Sequence, residues 1–486
     1  MSEDIEIVGI RIPKADWETT PESVRVVVKI LSEKVTEMEE RLKKNSKNSS
    51  KPSSTNGFEA KAKRKKEKGK KARGGQVGHQ GHERHLYETE QCDVVHEVKP
   101  LECKQCQEKL EGVDEEPYRH QVVEIPPIKP IVTEYRLHQL NCSHCGEKTR
   151  AQMPTGVKSG FGERVAAIVG VLSSKYRQSH SMVKEMLETM YGISISESGI
   201  NRLRQEVSAS VKEPVEEAKQ YAQQQKIKNV DETSFSQGNS DGKNAQSKQG
   251  WLWTLVTEKV IAFIVALSRG QEIAKSIVGE DSNDIVGSDR YSAYNYLPLS
   301  QRQVCWAHLK RDFQAFAERR GVSQTIGESL LNKQKILFRW WHRVRDGTLS
   351  WDKFAEIVSW LRARIQQELK EAAELPVTKN EKTPLAKTIR TCQQMLRVEP
   401  AFWTFVEHKG VEPTNNTAES ALRPAVLWRK NSFGSQSAEG SLFVARMMTV
   451  ISTLKAQGRR DVLDFLSAAC RAKRMGLLAP SLLPQF

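Results

Sequence analysis

The stretch that decides the fold begins at KIKNVDETSF (226–235) and runs through GWLWTLVTE (250–258), VIAFIVALS (260–268), QEIAKSIVG (271–279), DIVGSDR (284–290) and RQVCWAHL (302–309). The first three segments are short apolar runs rich in β-branched and aromatic residues, separated by polar turns such as QGNSDGKN (237–244), and they read as strands. QEIAKSIVG reads as a helix, and the last two segments supply a fourth and a fifth strand.

Three strands, a helix and further strands is the order of a ribonuclease-H-like α/β fold. There one Asp leaves the first strand and another leaves the fourth, so the two carboxylates emerge on neighbouring central strands. Asp231 and Asp289 occupy those places. Glu232 should face away from Asp231 because strand side chains alternate. Asp241 falls in the polar turn, and Asp281 and Asp284 precede their strand. A third carboxylate, Glu419 in TNNTAESALRPAV (414–426), lies in the first turn of a helix that Asn415 or Asn416 can cap. Its plainer reading is an i,i+4 ion pair with Arg423, worth a few tenths of a kcal/mol. Two Asp and one Glu from separate elements are hard oxygen ligands suited to divalent cations at a phosphodiester. Residues 314–400, with LFRWWHRV and FAEIVSWLRARIQQEL, are helical and aromatic-rich, so they read as an insertion within a catalytic domain spanning 226–445. Residues 446–486 read as a C-terminal helical element. Cys305-x2-His308 lacks further ligands in the sequence around it, and a structural role near the active site is expected.

Toward the N-terminus, residues 1–45 carry Val24, Val28, Leu31, Val35, Met38 and Leu42 at alternating spacings of four and three, the seam of a short coiled coil. Residues 46–85 pass through NSKNSSKPSSTNG to AKAKRKKEKGKKARGG, expected to be a flexible basic linker whose Lys63, Arg64, Lys65 and Lys66 lie along phosphates. GGQVGHQGH (74–82) lacks the lysine and spacing of a phosphate-binding loop. Residues 86–155 hold Cys103-x2-Cys106 and Cys142-x2-Cys145, two knuckles that together complete the tetrahedral sulfur site of a structural Zn²⁺. The intervening YRHQVVEIPPIKPIVTEYRLHQLNC resembles β-hairpin material, so a zinc ribbon with no open coordination position is expected. Residues 160–215 turn helical. Gly192 divides two helical patterns, Ser196 or Ser198 caps the second, and Asn201, Arg202 and Arg204 are expected to be exposed, as in a helix-turn-helix reader of DNA. Downstream, WRKNSFGSQSAEG (428–440) places Arg429 and Lys430 beside a Gly-containing loop, which with Arg423 suits contacts to a DNA backbone.

Composition agrees with a nucleic-acid partner. The 486 residues carry a net charge of +15 with a pI near 9.3. No apolar run approaches the ~20 residues of a membrane span. The start MSEDIEIVGIRIPKAD lacks the basic region of a signal peptide, so a cytoplasmic, nucleoid-associated protein is expected. Four of the eight cysteines form the two CxxC pairs, which in a reducing compartment points to metal ligation.

Taken in order, the heptad helix before NSKNSSKPSS, then ARGGQVGHQGH, the paired CxxC, VDET, GSDRYSAYN, CWAHLKRDF and TNNTAESALRPAVLWRKNSFGSQS resemble the transposases of bacterial insertion sequence 66 over nearly the whole chain. The resemblance implies a DDE transposase in which Asp231, Asp289 and Glu419 hold two Mg²⁺ (or Mn²⁺) ions, with one structural Zn²⁺ ahead of the catalytic domain. It further implies DNA partners (transposon ends and target), a homo-oligomer, and companion proteins of the same element. The family often has Asp where Thr414 stands and Arg where Ser420 stands; neither departure removes a metal ligand. Two other classes compete: a non-catalytic DNA-binding regulator or accessory protein, and a structure-selective nuclease of the same fold.

Overall fold

The computed structural model describes residues 5–7, 10–49, 85–157, 159–279 and 284–484. Lys63, Arg64, Lys65 and Lys66 therefore lie outside the described residues. Residues 57–131 with 190–192 make one compact unit and the remainder another.

A small hairpin of β1 (Ile5–Ile7) and β2 (Ile10–Ile12) precedes α1 (Lys14–Thr19) and α2 (Glu22–Lys43). On α2 the seam residues Val24, Leu31, Val35, Met38 and Leu42 are all exposed. The span between the two cysteine pairs departs from the expected hairpin. Residues 107–138 run without strands, and regular pairing is confined to β3 (Gln139–Asn141) against β4 (Lys148–Arg150). Pro126, Pro127 and Pro130 supply no N–H to a ladder, which outweighs the β-branched composition there.

Helices α3 (Glu163–Ser174), α4 (His180–Tyr191), α5 (Glu197–Ser210) and α6 (Lys212–Gln223) follow. Gly192, at φ +64°, makes the left-handed turn between α4 and α5 that a side chain would strain. Ser196 caps α5 by accepting the Gly199 N–H at 3.1 Å. The exposed stripe of α5 holds Asn201 and Arg202. Arg204 corrects the expectation: it is half-buried, hydrogen-bonded to His180, with its guanidinium 4.3 Å from the Phe443 ring centroid. Burial lowers its pKa to about 10. Its helical phase, two residues beyond Arg202, turns it toward the core.

The central sheet comprises β5 (Ile227–Ser234), β6 (Trp251–Val256), β7 (Ile261–Ala266), β8 (Ile285–Ser288) and β9 (Arg302–Val304), with α7 (Gln271–Val278) before β8. Strand order is β7-β6-β5-β8-β9. The first two pairings across it are antiparallel and the β5–β8 and β8–β9 pairings parallel. Burial alternates along β5, with Lys228, Val230 and Glu232 buried on one face and Asn229, Asp231 and Thr233 half-buried on the other. Lys228 is completely buried, paired with Asp284 at 3.0 Å and donating to the Val278 carbonyl at 3.2 Å. Removing the carboxylate from a buried pair leaves an uncompensated charge, so Asp284→Ala is expected to cost about 3 kcal/mol of unfolding free energy, read from the urea midpoint. An unchanged midpoint would mean the backbone carbonyls suffice.

After β9 come α8 (Trp306–Ala317), α9 (Val322–Arg345), α10 (Trp351–Ala373), α11 (Pro384–Arg397) and α12 (Thr404–Glu407). The helical insertion thus starts at Trp306, directly beyond β9. It shares a core with the sheet, since Phe313, Leu330, Trp341, Phe354, Trp403 and Phe405 belong to one buried cluster with Ile285 and Val304. Its aromatic richness is core packing between helices and the parallel edge of the sheet.

The chain closes with α13 (Asn416–Ser432), α14 (Ala438–Ala456) and α15 (Val462–Met475). Along edge strand β7, Thr449 and Thr453 of α14 accept the N–H groups of Phe263 and Ile261 at 3.0 and 3.1 Å, so the edge presents fewer free donors. Helix α15 packs on α3 and α5. Arg471 meets Glu163 at 2.7 Å and Arg474 meets Glu206 at 2.7 Å. The 160–215 and 446–486 segments, expected as separate elements, are therefore one helical layer.

Candidate active site

The β5–β8 register pairs Asn229 with Gly287. Parallel partners share a face, and two residues beyond that pair lie Asp231 on β5 and Asp289 just past the end of β8. A Cβ at Gly287 would lie 2.2 Å from Asn229 Oδ1, so a side chain there would displace the Asn229 amide. Asp289 is held from behind. Fully buried Arg302 donates to the Ser288 hydroxyl at 3.1 Å and to the Asp289 carbonyl at 2.8 Å, while Asp289 Oδ1 accepts the Tyr291 N–H at 2.8 Å.

Glu419 arrives from α13. That helix packs on β5 and β6, and its start is tied to β5 by Asn415, whose side chain does not cap the helix. Instead Asn415, 1% exposed, donates Nδ2 to the Val230 carbonyl at 2.8 Å, one residue before Asp231. Losing a buried hydrogen bond costs about 1–3 kcal/mol. Asn415→Ala is expected to lower unfolding free energy by about that amount in urea titration, and a stability equal to that of the unaltered protein would show that the tie is dispensable.

Glu419 does not pair with Arg423, which is exposed. It receives Arg311 Nη2 at 3.3–3.4 Å and lies 3.6 Å from His308 Nδ1. Arg311 also donates Nη1 to His308 Nε2 at 3.1 Å. Glu232, on the opposite face of β5 as expected, is neutralised by Arg269 at 2.6 Å and accepts the Tyr294 hydroxyl. Asp231 is different. Burial first, then the like charges of Glu232, Asp289 and Glu419, push its carboxyl well above the usual range, against one opposing bond from the Glu232 N–H. A carboxylate ringed by carboxylates is the environment a multivalent cation stabilises.

Other expected contacts divide by exposure. Lys430 and Arg423 are exposed on α13, whereas Arg429 is half-buried, its Nη1 donating to Thr233 Oγ1 at 3.1 Å and to Ser234 oxygens at 2.5 Å. The loop after α13 is stitched to the chain beyond β5: Gly238 N–H donates to the Ser435 carbonyl at 2.8 Å and Ser435 N–H to the Ser236 carbonyl at 2.9 Å. Both corrections have one cause: these polar groups sit where the end of β5 needs partners.

The two CxxC turns are local twins. Cys103 N–H donates to the Glu108 carbonyl and Cys142 N–H to the Glu147 carbonyl, both at 2.8 Å. A left-handed residue follows each pair, Gln107 at φ 61° and Gly146 at φ 74°. Backbone N–H groups, those of Cys106 and Gln105 for Cys103 and those of Cys145 and His144 for Cys142, lower both thiol pKa values. Thiolates so supported are the ligand form zinc takes.

Among the described residues, one group of metal-ligating side chains lies within 4.8 Å of one another: Cys305, His308 and Glu419. Sequence reading gave the first two no partner, because Glu419 is remote in the chain. Cys305 Sγ accepts the Asn415 N–H at 3.1 Å. Burial pushes its thiol up to about 11, against N–H bonds from Asn415, His308 and Ala307. Arg311 and Asn415 stand in the quoted stretches CWAHLKRDF and TNNTAESALRPAV, but their contacts here, like those of Arg302, emerge only through the fold.

Residues 158–442, more than half of the chain, match the Transposase IS66 family. Residues 100–146 match the zinc-finger binding domain of transposase IS66, and residues 11–85 match a family of unknown function. The chain is also similar to the uncharacterized protein y4qI of Sinorhizobium fredii, 26% identical over 250 residues. That alignment covers 46% of this chain and 44% of that protein, so the chain spans less than half the length of this relative. Among the described residues, no helix is long and apolar enough to cross a membrane.

Proposed function

The chain belongs to the IS66 transposase family, and on that premise we propose that it binds the terminal inverted repeats of its insertion sequence and cleaves and joins DNA strands through Asp231, Asp289 and Glu419. The observation that carries this reading is the buried Asp231 carboxyl on β5, on which the negative charges of Asp289, just past β8, and of Glu419 on α13 both bear. The strand order, three antiparallel strands followed by two parallel ones, supports a ribonuclease-H-like catalytic domain.

Asp231, Asp289 and Glu419 would together hold two Mg²⁺ or Mn²⁺ ions. When bound, such ions lower the pKa of an attacking oxygen and neutralise charge on the leaving oxygen. The chain's own groups prepare the place. Arg302 fixes the backbone of Asp289, Asn415 fixes the approach of α13, and Arg311 balances the Glu419 charge. No Ser or Tyr is assigned a nucleophilic role, since water and then a 3′ hydroxyl serve that chemistry.

For DNA, exposed Arg202, Arg423 and Lys430 and the basic stretch Lys63, Arg64, Lys65 and Lys66 are the proposed backbone contacts. Arg204 and Arg429 instead serve packing. The four cysteines 103, 106, 142 and 145 are the proposed ligands of one Zn²⁺, supported by the twin knuckle turns and the zinc-finger match. The seam on α2 is the proposed self-association surface.

The test is Mg²⁺-dependent nicking of a labelled transposon-end duplex. The unaltered protein should nick it and Asp231→Ala, Asp289→Ala and Glu419→Ala should not; equal activity in all of them removes the assignment. Joining of the cut ends to a second duplex separates a transposase from a nuclease.

A further inference from the structure

The group formed by Cys305, His308 and Glu419 carries its own chemistry. Its three ligand atoms are of three kinds, one sulfur, one imidazole nitrogen and one carboxylate oxygen, all within 4.8 Å. Cys305 follows β9 and stands at the N-cap position of α8; His308 lies on the first turn of α8, and Glu419 on the first turn of α13.

The Cys305-x2-His308 turn differs from the two CxxC knuckles, since Cys305 takes the N-cap position of α8 and its N–H donates to the Ser288 carbonyl at 2.9 Å. Its sulfur accepts the Asn415 N–H at 3.1 Å, a bond that stabilises a metal-bound thiolate. Opposite, His308 Nδ1 is buried without a hydrogen-bond partner and 3.6 Å from Glu419 Oε1.

We propose that Cys305, His308 and Glu419 bind one Zn²⁺ ion, leaving a fourth coordination position open. Sulfur and imidazole select a borderline-soft cation over Mg²⁺, and three protein ligands with one vacancy is the pattern of an accessible zinc centre. Bonds of about 2.0–2.3 Å put tetrahedral ligands roughly 3.3–3.8 Å apart, so closure asks for about one ångström of side-chain rotation. Cys305 releases its thiol proton to solvent on binding. Arg311 now donates to His308 Nε2, which places the ring proton on Nδ1; metal on Nδ1 moves that proton to Nε2 and leaves Arg311 on Glu419 alone. The inference does not rest on phosphodiester chemistry, although the ion would occupy the Glu419 carboxylate that the reading above gives to Mg²⁺.

The experiment is zinc stoichiometry on the full chain, stripped with chelator, reloaded with Zn²⁺ and desalted before elemental analysis. The unaltered protein should hold about two equivalents, while His308→Ala and Cys305→Ser each hold about one. Cys142→Ala/Cys145→Ala should keep about one equivalent, lost when His308→Ala is added, and circular dichroism of each variant checks the fold. An ion that survives His308→Ala in the Cys142→Ala/Cys145→Ala background, or no ion there at all with the fold intact, overturns the site. DNA cleavage is not read, so failure of this zinc site and failure of the catalytic assignment are told apart.

Discussion

Asp231→Asn should abolish Mg²⁺-dependent cleavage while raising the melting temperature of the metal-free protein. Loss of a metal ligand removes several kcal/mol of charge stabilisation, and each 1.36 kcal/mol is about tenfold in rate, so a fall of about a thousand-fold or more is expected. The stability change has the opposite sign for an electrostatic reason. In the folded protein the Asp231 carboxyl is pushed well above its ordinary value of 3.8 by burial and by Glu232, Asp289 and Glu419. The folded state therefore keeps a proton that the unfolded chain releases, and stability falls as pH rises from that ordinary value toward the folded one. Neutral Asn is spared this penalty. At neutral pH the variant should melt higher, by about 1–2 °C for each kcal/mol in a chain of 486 residues. Near pH 4 the gap should close. A variant that melts below the unaltered protein at neutral pH, or still cleaves, would remove Asp231 from the centre of the site.

Chelation of zinc is expected to have the largest structural effect. Structural zinc contributes about 10–16 kcal/mol of apparent folding free energy to small zinc-finger domains, comparable to the whole stability of a typical domain. Residues 85–157 hold little else. Val113, Tyr118, Val122, Ile131 and Val132 are each more than 80% exposed, and none of the buried hydrophobic residues falls between 86 and 155. Treatment with chelator, or Cys142→Ser, should expose this segment to limited proteolysis. The sheet and its helices should stay resistant, because their core rests on Trp306, Phe313, Phe354 and Trp403. Identical digestion patterns with and without chelator would mean that another interaction orders the segment.

Local chemistry made much of this protein legible. Apolar runs of strand length delivered β5 to β9 in the expected order, because a buried strand needs little beyond β-branched and aromatic residues. Ser196 capped its helix, and the face of Glu232 followed from strand alternation. Failures fell where one polar group had several possible partners. Asn415 looked like a cap and reaches Val230; Arg429 looked free and clasps Ser234; Arg204 looked exposed and packs on Phe443. The 107–138 segment looked like a hairpin because composition was read without weighing its prolines.

By itself, the order of residues determined the elements of the sheet domain and their sequence along the chain, since periodicity and turn chemistry act over a few residues. Tertiary structure alone decided which distant groups meet. It set Glu419 beside Cys305 and His308, laid α15 on α3, and gave Glu232 and Glu419 each a counter-cation while leaving Asp231 among like charges. The reason is physical: Coulomb and hydrogen-bond energies depend on separation in space, and that separation is set by how helices and strands pack, not by distance along the chain.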